Sequence, residues 1–479
     1  MPLRDPEHST LQGNSAVQAG RGGGPRAQVP ALVLLWSQEE PGRVAELVCL
    51  PRAAIDVPFT IGRAREPGED GALPLTLQQL RPGSRVDTGP LRAGNVSRWQ
   101  LRVRATAEDE LLVEQIGRGE LHVNGHPVER AIVAPGDVIE ARDRFVFMYT
   151  RRPAEWPGLP VANEPNFAFG GPDKCGIVGE SPEAWRLRQQ IAFCAANDEH
   201  TLVHGPSGAG KELVVRAIHA LSRRAAAPLV ARNAVTIPES LMDAELFGNL
   251  GDYPNPGMPE RPGLLGEAHG GALFLDEIGE LSHALQAHLL RVMDSGEYQR
   301  LGEARRRNAD IRLIGATNRG PEALKHDLLA RFVHRLYVPG LDERPEDLPL
   351  LARHLVRRLA GRSPELRQRF FVGDEPRLSV ELAIALARRR YTTHVRELVE
   401  LLWKSVADSP AAVLVAPPGA LVGPAPRQPD DYAVPEGLGR EQIVAALVAV
   451  GGVREQAWRL LGLRSRYQLK RLLKKYDIP

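Results

Sequence analysis

At 479 residues the chain is too long for one hydrophobic core, and usual domain sizes divide it into roughly three domains. An apolar content of 43% and a charged content of 25% are ordinary for soluble globular proteins, and a formal net charge of +2 says nothing about partners until its distribution is read. The three cysteines, Cys49, Cys175 and Cys194, have neither metal-ligand nor paired spacing and read as reduced structural thiols of a cytosolic protein.

The first thirty residues are polar and rich in glycine and proline, without the apolar core of a signal peptide. The longest apolar runs, such as ALVLLW, are too short to span a bilayer. The expectation is a disordered start, residues 1–30, on a cytoplasmic protein that does not enter a membrane.

Residues 31–151 follow as short β runs separated by turn-formers: PFTIGR, WQLRVRAT, ELLVEQIG, GELHVNG, PGDVIEA and RFVFMY. Their alternation predicts an all-β sandwich. A stretch rich in Pro, Trp and Gly at 152–172 reads as a linker. From 173 to 340, apolar strands such as TLVHG, ALFLDE and DIRLIGATN alternate with helical spacing in KELVVRAIHALS and ALQAHLLRVMDS, which predicts a parallel sheet flanked by helices. Residues 341–409 read as a helical lid, 410–435 as a second linker rich in Pro and Ala, and 436–479 as basic helices.

The chemistry-bearing segment is GPSGAGKE, comprising Gly205, Pro206, Ser207, Gly208, Ala209, Gly210, Lys211 and Glu212, between a strand and a helix. Small residues there let backbone N–H groups wrap phosphate oxygens at a helix N-terminus, and Lys211 would reach the β and γ phosphates of ATP. GGALFLDE at 270–277 is an apolar strand ending in paired acids. Asp276 is placed to hold Mg2+, directly or through water, and Glu277 to polarise the attacking water.

With GIVGESP at 176–182, ELFG at 245–248, RLIGATNR at 312–319, DERPEDLPLLARHL at 342–355 and VREL at 395–398, residues 173–408 resemble the AAA+ domain of bacterial enhancer-binding proteins, the activators of sigma-54 RNA polymerase. That resemblance implies an ATPase in which Glu after the loop lysine is usual, Asn318 is a first sensor that hydrogen-bonds the γ-phosphate or the attacking water, and Asn233 restrains Glu277. It also implies that Arg331 is a finger reaching a neighbouring subunit's nucleotide, and that Arg396 is the second sensor on the lid. Sites shared between subunits imply a ring, a hexamer when active. The family drives sigma-54 with a loop tipped by GAFTGA; aligned from ELFG and from ERPG at 260–263, the tip here is DYPNPG, Asp252 to Gly257. Two prolines stiffen it and remove backbone donors.

Residues 31–151 resemble a forkhead-associated domain, through Gly62 and Arg63 in IGR, Ser97 and Arg98 in NVSRWQ, and Asn124-Gly125 in HVNG. The resemblance implies phosphothreonine-peptide binding, with charge from Arg63 and Arg98 and a hydroxyl donor from Ser97. Gln100 stands where that family has histidine.

At the other end, EQIVAALVAVGG, VREQAWRLLGL and RSRYQLKRLLKKYDI form three amphipathic helices. Between Arg454 and Lys475 there are eight basic residues and one acid, Glu455. WRLLGL then RSRYQLKRLLKK has helix-turn-helix form, with Arg464, Ser465, Arg466, Tyr467 and Gln468 nearest the base edges and Lys470 and Arg471 on the same basic helix. It resembles the Fis-type module, which binds DNA as a dimer.

The expected whole is multidomain: an all-β forkhead-like sandwich, an α/β AAA+ P-loop ATPase with a helical lid, and an all-α helix-turn-helix. The expected function is an ATP-hydrolysing DNA-binding transcription regulator that takes ATP and Mg2+ and is gated by a phosphothreonine protein or another protein at the sandwich. It binds an upstream promoter or enhancer site, with sigma-54 polymerase as target. The alternative is a regulator whose assembly is controlled by nucleotide and which does not remodel sigma-54, because of the DYPNPG tip.

Overall fold

The computed structural model describes residues 28–51, 57–68, 70–107, 110–154, 156, 166–253, 255–320, 323–418, 440–450 and 454–461, with single positions at 469, 472, 473, 476 and 478. The alternating first segment folds as two facing sheets. In the eight-stranded one, Gln28–Ser37 pairs antiparallel with Phe145–Pro153 on one side and Leu47–Cys49 on the other. In the five-stranded one, Leu101–Ala107 lies between Pro58–Ile61 and Glu110–Gln115. Successive strand residues point to opposite faces, so Leu34, Phe59, Val103, Val113, Ile139 and Phe147 meet in the space between the sheets. Asn124 and Gly125, at φ 57° and 85°, make the left-handed turn that joins Leu121–Val123 to His126–Val128. The interval between Arg63 and Ser97 supplies three further strands, Leu73–Pro74, Leu77–Arg81 and Ser84–Gly89. The last two extend one edge of the larger sheet.

The next domain is built on five parallel strands in the spatial order Leu229–Asn233, Ala272–Asp276, Arg312–Thr317, Thr201–His204, His334–Tyr337. Helices cover both faces, which is why the central strands read as unbroken apolar runs. Ile191, Val215 and Ile218 pack with Phe274 and Ile314 on one side; Leu246, Leu265 and Leu285 pack with Leu273 and Leu313 on the other. Four helices, Leu348–Ala360, Pro364–Phe370, Val380–Arg388 and His394–Asp408, form the lid around Leu348, Phe370, Leu382, Leu398 and Leu402.

Both stretches read as linkers are partly structured. The strand Phe145–Pro153 runs into the first, and near its end Phe167 stacks on Trp185 at 5.9 Å. In the second, fully buried Leu414 bridges to Leu378 and its carbonyl accepts from Ser379 N at 2.8 Å.

At the C-terminal end, helices Arg440–Ala449 and Arg454–Leu460 share an apolar cluster with Leu469, Leu472 and Leu473. Arg464, Ser465, Arg466, Tyr467, Gln468, Lys470 and Arg471 lie outside the described residues. Among the described residues no helix is long and apolar enough to cross a membrane.

Candidate functional site

The parallel strands end together, with His204 in register with Thr317 and Asn233 with Asp276. Open α/β sheets bind ligands beyond the carboxyl ends of their strands, and here the turn from Thr201–His204 into the helix Lys211–Ala220 lies at that edge. Gly205, Gly208 and Gly210 adopt φ of 155°, 78° and 101°, which side-chain-bearing residues rarely tolerate. A Cβ on Gly205 would lie 2.5 Å from the Val338 carbonyl oxygen, and one on Gly208 would collide with that of Thr393. The loop is therefore a bare-backbone cradle.

Lys211 opens the following helix and is only 7% exposed. Its ammonium donates to the carbonyls of Gly205 at 3.0 Å and Pro206 at 3.3 Å. Burial pulls its pKa down, while Glu277 and Asp276 push it back up. Neutral carbonyls are weak partners for a desolvated cation, and an anion in the cradle would be a stronger one. Glu212 turns away: its carboxylate lies 2.7 Å from Arg216 on the exposed helix face. One helical step past Lys211 carries it off the loop's concave side.

Asp276 ends its strand, and Glu277 follows in a left-handed conformation, φ 53°, uncommon for a residue with a side chain. This bend brings its carboxylate to the next strand end, where it accepts from Asn318 N at 3.1 Å. The amide of Asn233 reaches Asp276 Oδ2 at 3.4 Å, not Glu277, so the restraint expected of Asn233 falls on the other acid of the pair. The reason is register, because Asn233 and Asp276 are direct neighbours across the sheet.

From the lid, Val395 N donates to Gly208 O at 3.1 Å, and Arg396 Nη1 stands 3.5 Å from Ser207 Oγ. Thr393 and Val395 were not identifiable in advance, because they meet the loop through backbone atoms that any residue supplies. Arg331 is not drawn into this cluster; its exposed guanidinium pairs with Asp294. That pairing holds the Asp294 carboxyl below its usual range.

The loop after ELFG is tied down. Asn249 is fully buried and donates to the carbonyls of Leu250, Tyr253 and Pro259. Asp252 Oδ1 accepts from Gly257 N at 2.7 Å, and Leu250 N donates to Leu301 O at 3.1 Å. Tyr253 lies over Gly302, where a Cβ would come 2.6 Å from its ring. Pro254 lies outside the described residues.

The sandwich residues singled out by sequence also converge. A Cβ on Gly62 would strike the Arg98 carbonyl, and this bare approach lets Arg63 N donate to Ser97 O at 3.1 Å and Ala64 N to Arg98 O at 2.9 Å. Arg63 Nε donates to Val96 O at 2.5 Å, and Ser97 Oγ accepts from Arg118 N at 3.0 Å. Gln100 bridges the same loops, accepting from Ser97 N at 3.0 Å and donating to Arg118 O at 2.7 Å. Arg63, Arg98 and Arg118 are all exposed there. Arg118 was given no binding role from the sequence; the fold brings its backbone N–H to Ser97. Glu120 is paired with Arg142 at 2.8 Å, which holds its carboxyl below the usual range.

Residues 177–339 match the family model described as the Sigma-54 interaction domain. The chain is 35% identical over 326 residues to the transcriptional regulatory protein ZraR of Klebsiella oxytoca, covering 65% of this chain and 70% of that one. With ZraR of Escherichia coli strain K12 the identity is 36% over 312 residues, 62% and 68% of the two chains. With the Nif-specific regulatory protein of Azorhizobium caulinodans it is 34% over 366 residues, 63% and 58% of the two. A crystal structure of NtrX from Brucella abortus in complex with ADP superposes with a TM-score of 0.45 at 30% identity, covering 64% of this chain and 70% of that one.

Proposed function

Because this chain belongs to the family of sigma-54-dependent transcriptional regulators, we propose that it is an ATP-hydrolysing, DNA-binding member whose sandwich receives the controlling signal. The convergence of Lys211, Asp276, Glu277 and Asn318 at one strand edge carries the reading. A cradle that a Cβ would fill, with a buried ammonium whose hydrogen bonds among the described residues go to carbonyls, fits a triphosphate. Gly205 to Lys211 would bind the phosphates, Asp276 would hold a Mg2+ ion that supplies neutralising charge, and Arg396 would reach the phosphates from the lid. Glu277 takes the proton of the attacking water, and Asn318 orients that water through its exposed side chain. Arg331 completes the site of a neighbouring copy in a ring, which its surface position and lack of a role in its own site support.

The basic segment from Arg464 to Arg471 is the proposed DNA reader, bound as a dimer to an upstream site. The sandwich is proposed to be a forkhead-associated domain that takes a phosphothreonine peptide between Arg63, Ser97 and Arg98. Replacing Arg63 by Ala is expected to weaken a phosphothreonine peptide by about 1.5–3 kcal/mol, roughly ten- to hundredfold in Kd by fluorescence anisotropy. Unchanged affinity would remove Arg63 from the site.

The deciding experiment incubates the full chain and ATP with a closed complex of sigma-54 polymerase at a promoter. Hydrolysis-dependent opening is the expected result. The braced DYPNPG tip favours a second reading, in which the protein turns over ATP and binds DNA without acting on sigma-54. Turnover and DNA binding without opening would select it.

A further inference from the structure

The sandwich is packed against the domain that follows it. Leu35, Val146 and Met148, on the outer face of its larger sheet, share an apolar cluster with Val380 and Ala387 of the lid helix Val380–Arg388. Trp36 Nε1 donates to Leu378 O at 2.8 Å, and Arg388 donates to Asn124 Oδ1. Deeper in the contact, two sandwich arginines cross to carboxylates. Arg152 meets Glu346 at 2.5 Å, the side chains 2% and 8% exposed, and Arg81 meets Glu180 at 2.5 Å, 10% and 3% exposed.

These two carboxylates belong to different bodies. Glu180 stands at the start of Pro182–Ala196, a helix of the α/β core, and also accepts from Trp185 Nε1 at 3.0 Å. Glu346 lies in the turn that leads into the lid. Asp347 joins the two by accepting from Glu180 N at 2.8 Å and Ser181 N at 3.0 Å. The sandwich therefore contacts both sides of the junction between core and lid, while the lid rests on Gly208 through Val395.

We propose that the docked sandwich is a clamp on the core–lid junction that slows nucleotide exchange at Lys211. The inference rests on the nucleotide-binding reading given above. Nucleotide leaves only when the lid turn that contains Thr393 and Val395 lifts from the cradle. That rotation strains the Asp347 bonds to Glu180 and Ser181 and shifts Glu346 against Glu180, so one arginine must release its carboxylate and leave buried charge unpaired. Among the described residues, the hydrogen-bond partners of Arg63, Ser97, Arg98 and Arg118 lie within the sandwich, so docking leaves that end open to a ligand. The sandwich receives at one end and holds with its outer face.

The test follows release of a fluorescent ADP from the full-length protein by stopped flow, with hydrogen exchange over 145–149 and 380–388 as the report of docking. Glu346→Arg opposes two cations. Release about tenfold faster is expected, a barrier lower by the free energy of one decade in rate, with raised exchange in both segments. Adding Arg152→Glu restores an ion pair of reversed polarity and is expected to return both readouts towards wild type. Release as slow as wild type in Glu346→Arg overturns the clamp, as does a double variant that is protected from exchange yet still fast. If Glu346→Arg does not fold, Trp36→Ala combined with Arg388→Ala loosens the lid side of the contact and is judged by the same two readouts. Wild-type protein that takes up no ADP at equilibrium overturns the nucleotide reading, and the clamp with it.

Discussion

Replacing Glu277 by glutamine is expected to leave ATP binding intact and to cut steady-state hydrolysis by roughly 100- to 10,000-fold, the usual contribution of a positioned general base. This corresponds to about 3–5 kcal/mol of barrier. The substitution keeps the shape and the oxygen that accepts from Asn318 N, so the left-handed bend at φ 53° has no new reason to relax. What is lost is the ability to take a proton from water. Phosphate release measured beside binding of a fluorescent ATP analogue separates the two effects. Turnover close to wild type would refute the assignment of Glu277, and loss of binding would recast it as a structural residue of the cradle.

Arg331→Ala is expected to be at least as damaging to turnover, by about 1,000- to 100,000-fold, although the residue takes no part in its own chain's site. The exposed pair with Asp294 contributes little to folding, so stability and nucleotide binding should survive. Mixing gives the sharper test. Each of the Arg331→Ala and Glu277→Gln proteins is expected to hydrolyse ATP only slowly alone, and a mixed ring of the proposed kind would contain sites with Glu277 from one subunit and Arg331 from the next. Partial recovery on mixing is the expected outcome. Silence of the mixture, with rings present by light scattering, would show that the arginine does not act between copies.

The braced loop after ELFG sharpens the choice between the two readings of output. Its residues are held by Asn249, by the turn at Asp252 and by Tyr253 on Gly302, so its shape is set by the neighbouring segment as much as by its own prolines. Composition alone indicated stiffness; part of the bracing comes from Leu301 and Gly302, about fifty residues downstream.

Much of the candidate site was legible because phosphate chemistry demands local features. Bare glycines, a lysine at a helix start and paired acids at a strand end are consecutive residues, and consecutive residues are what a sequence displays. The same holds for the β alternation of the sandwich and the apolar strands of the parallel sheet. Roles that depend on register or on distant backbone were not legible: Asn233 faces Asp276 because two strands align, and Thr393 meets Gly208 through its carbonyl.

The run ALVLLW shows the division most clearly. Its apolar character was plain, but alternation assigns only one face of a strand to the interior. Leu34 points between the sheets while Leu35 packs on the lid, so both faces are buried for different reasons. The sequence by itself determined most of the strands and helices and the bare glycine turn with its lysine, since these follow from neighbouring residues and the periods of helix and strand. Only the tertiary structure decided that the sandwich sits on the lid and that Arg81 and Arg152 meet carboxylates about a hundred and two hundred positions away. Desolvated pairing across such separations is a property of packing, and no local pattern encodes it.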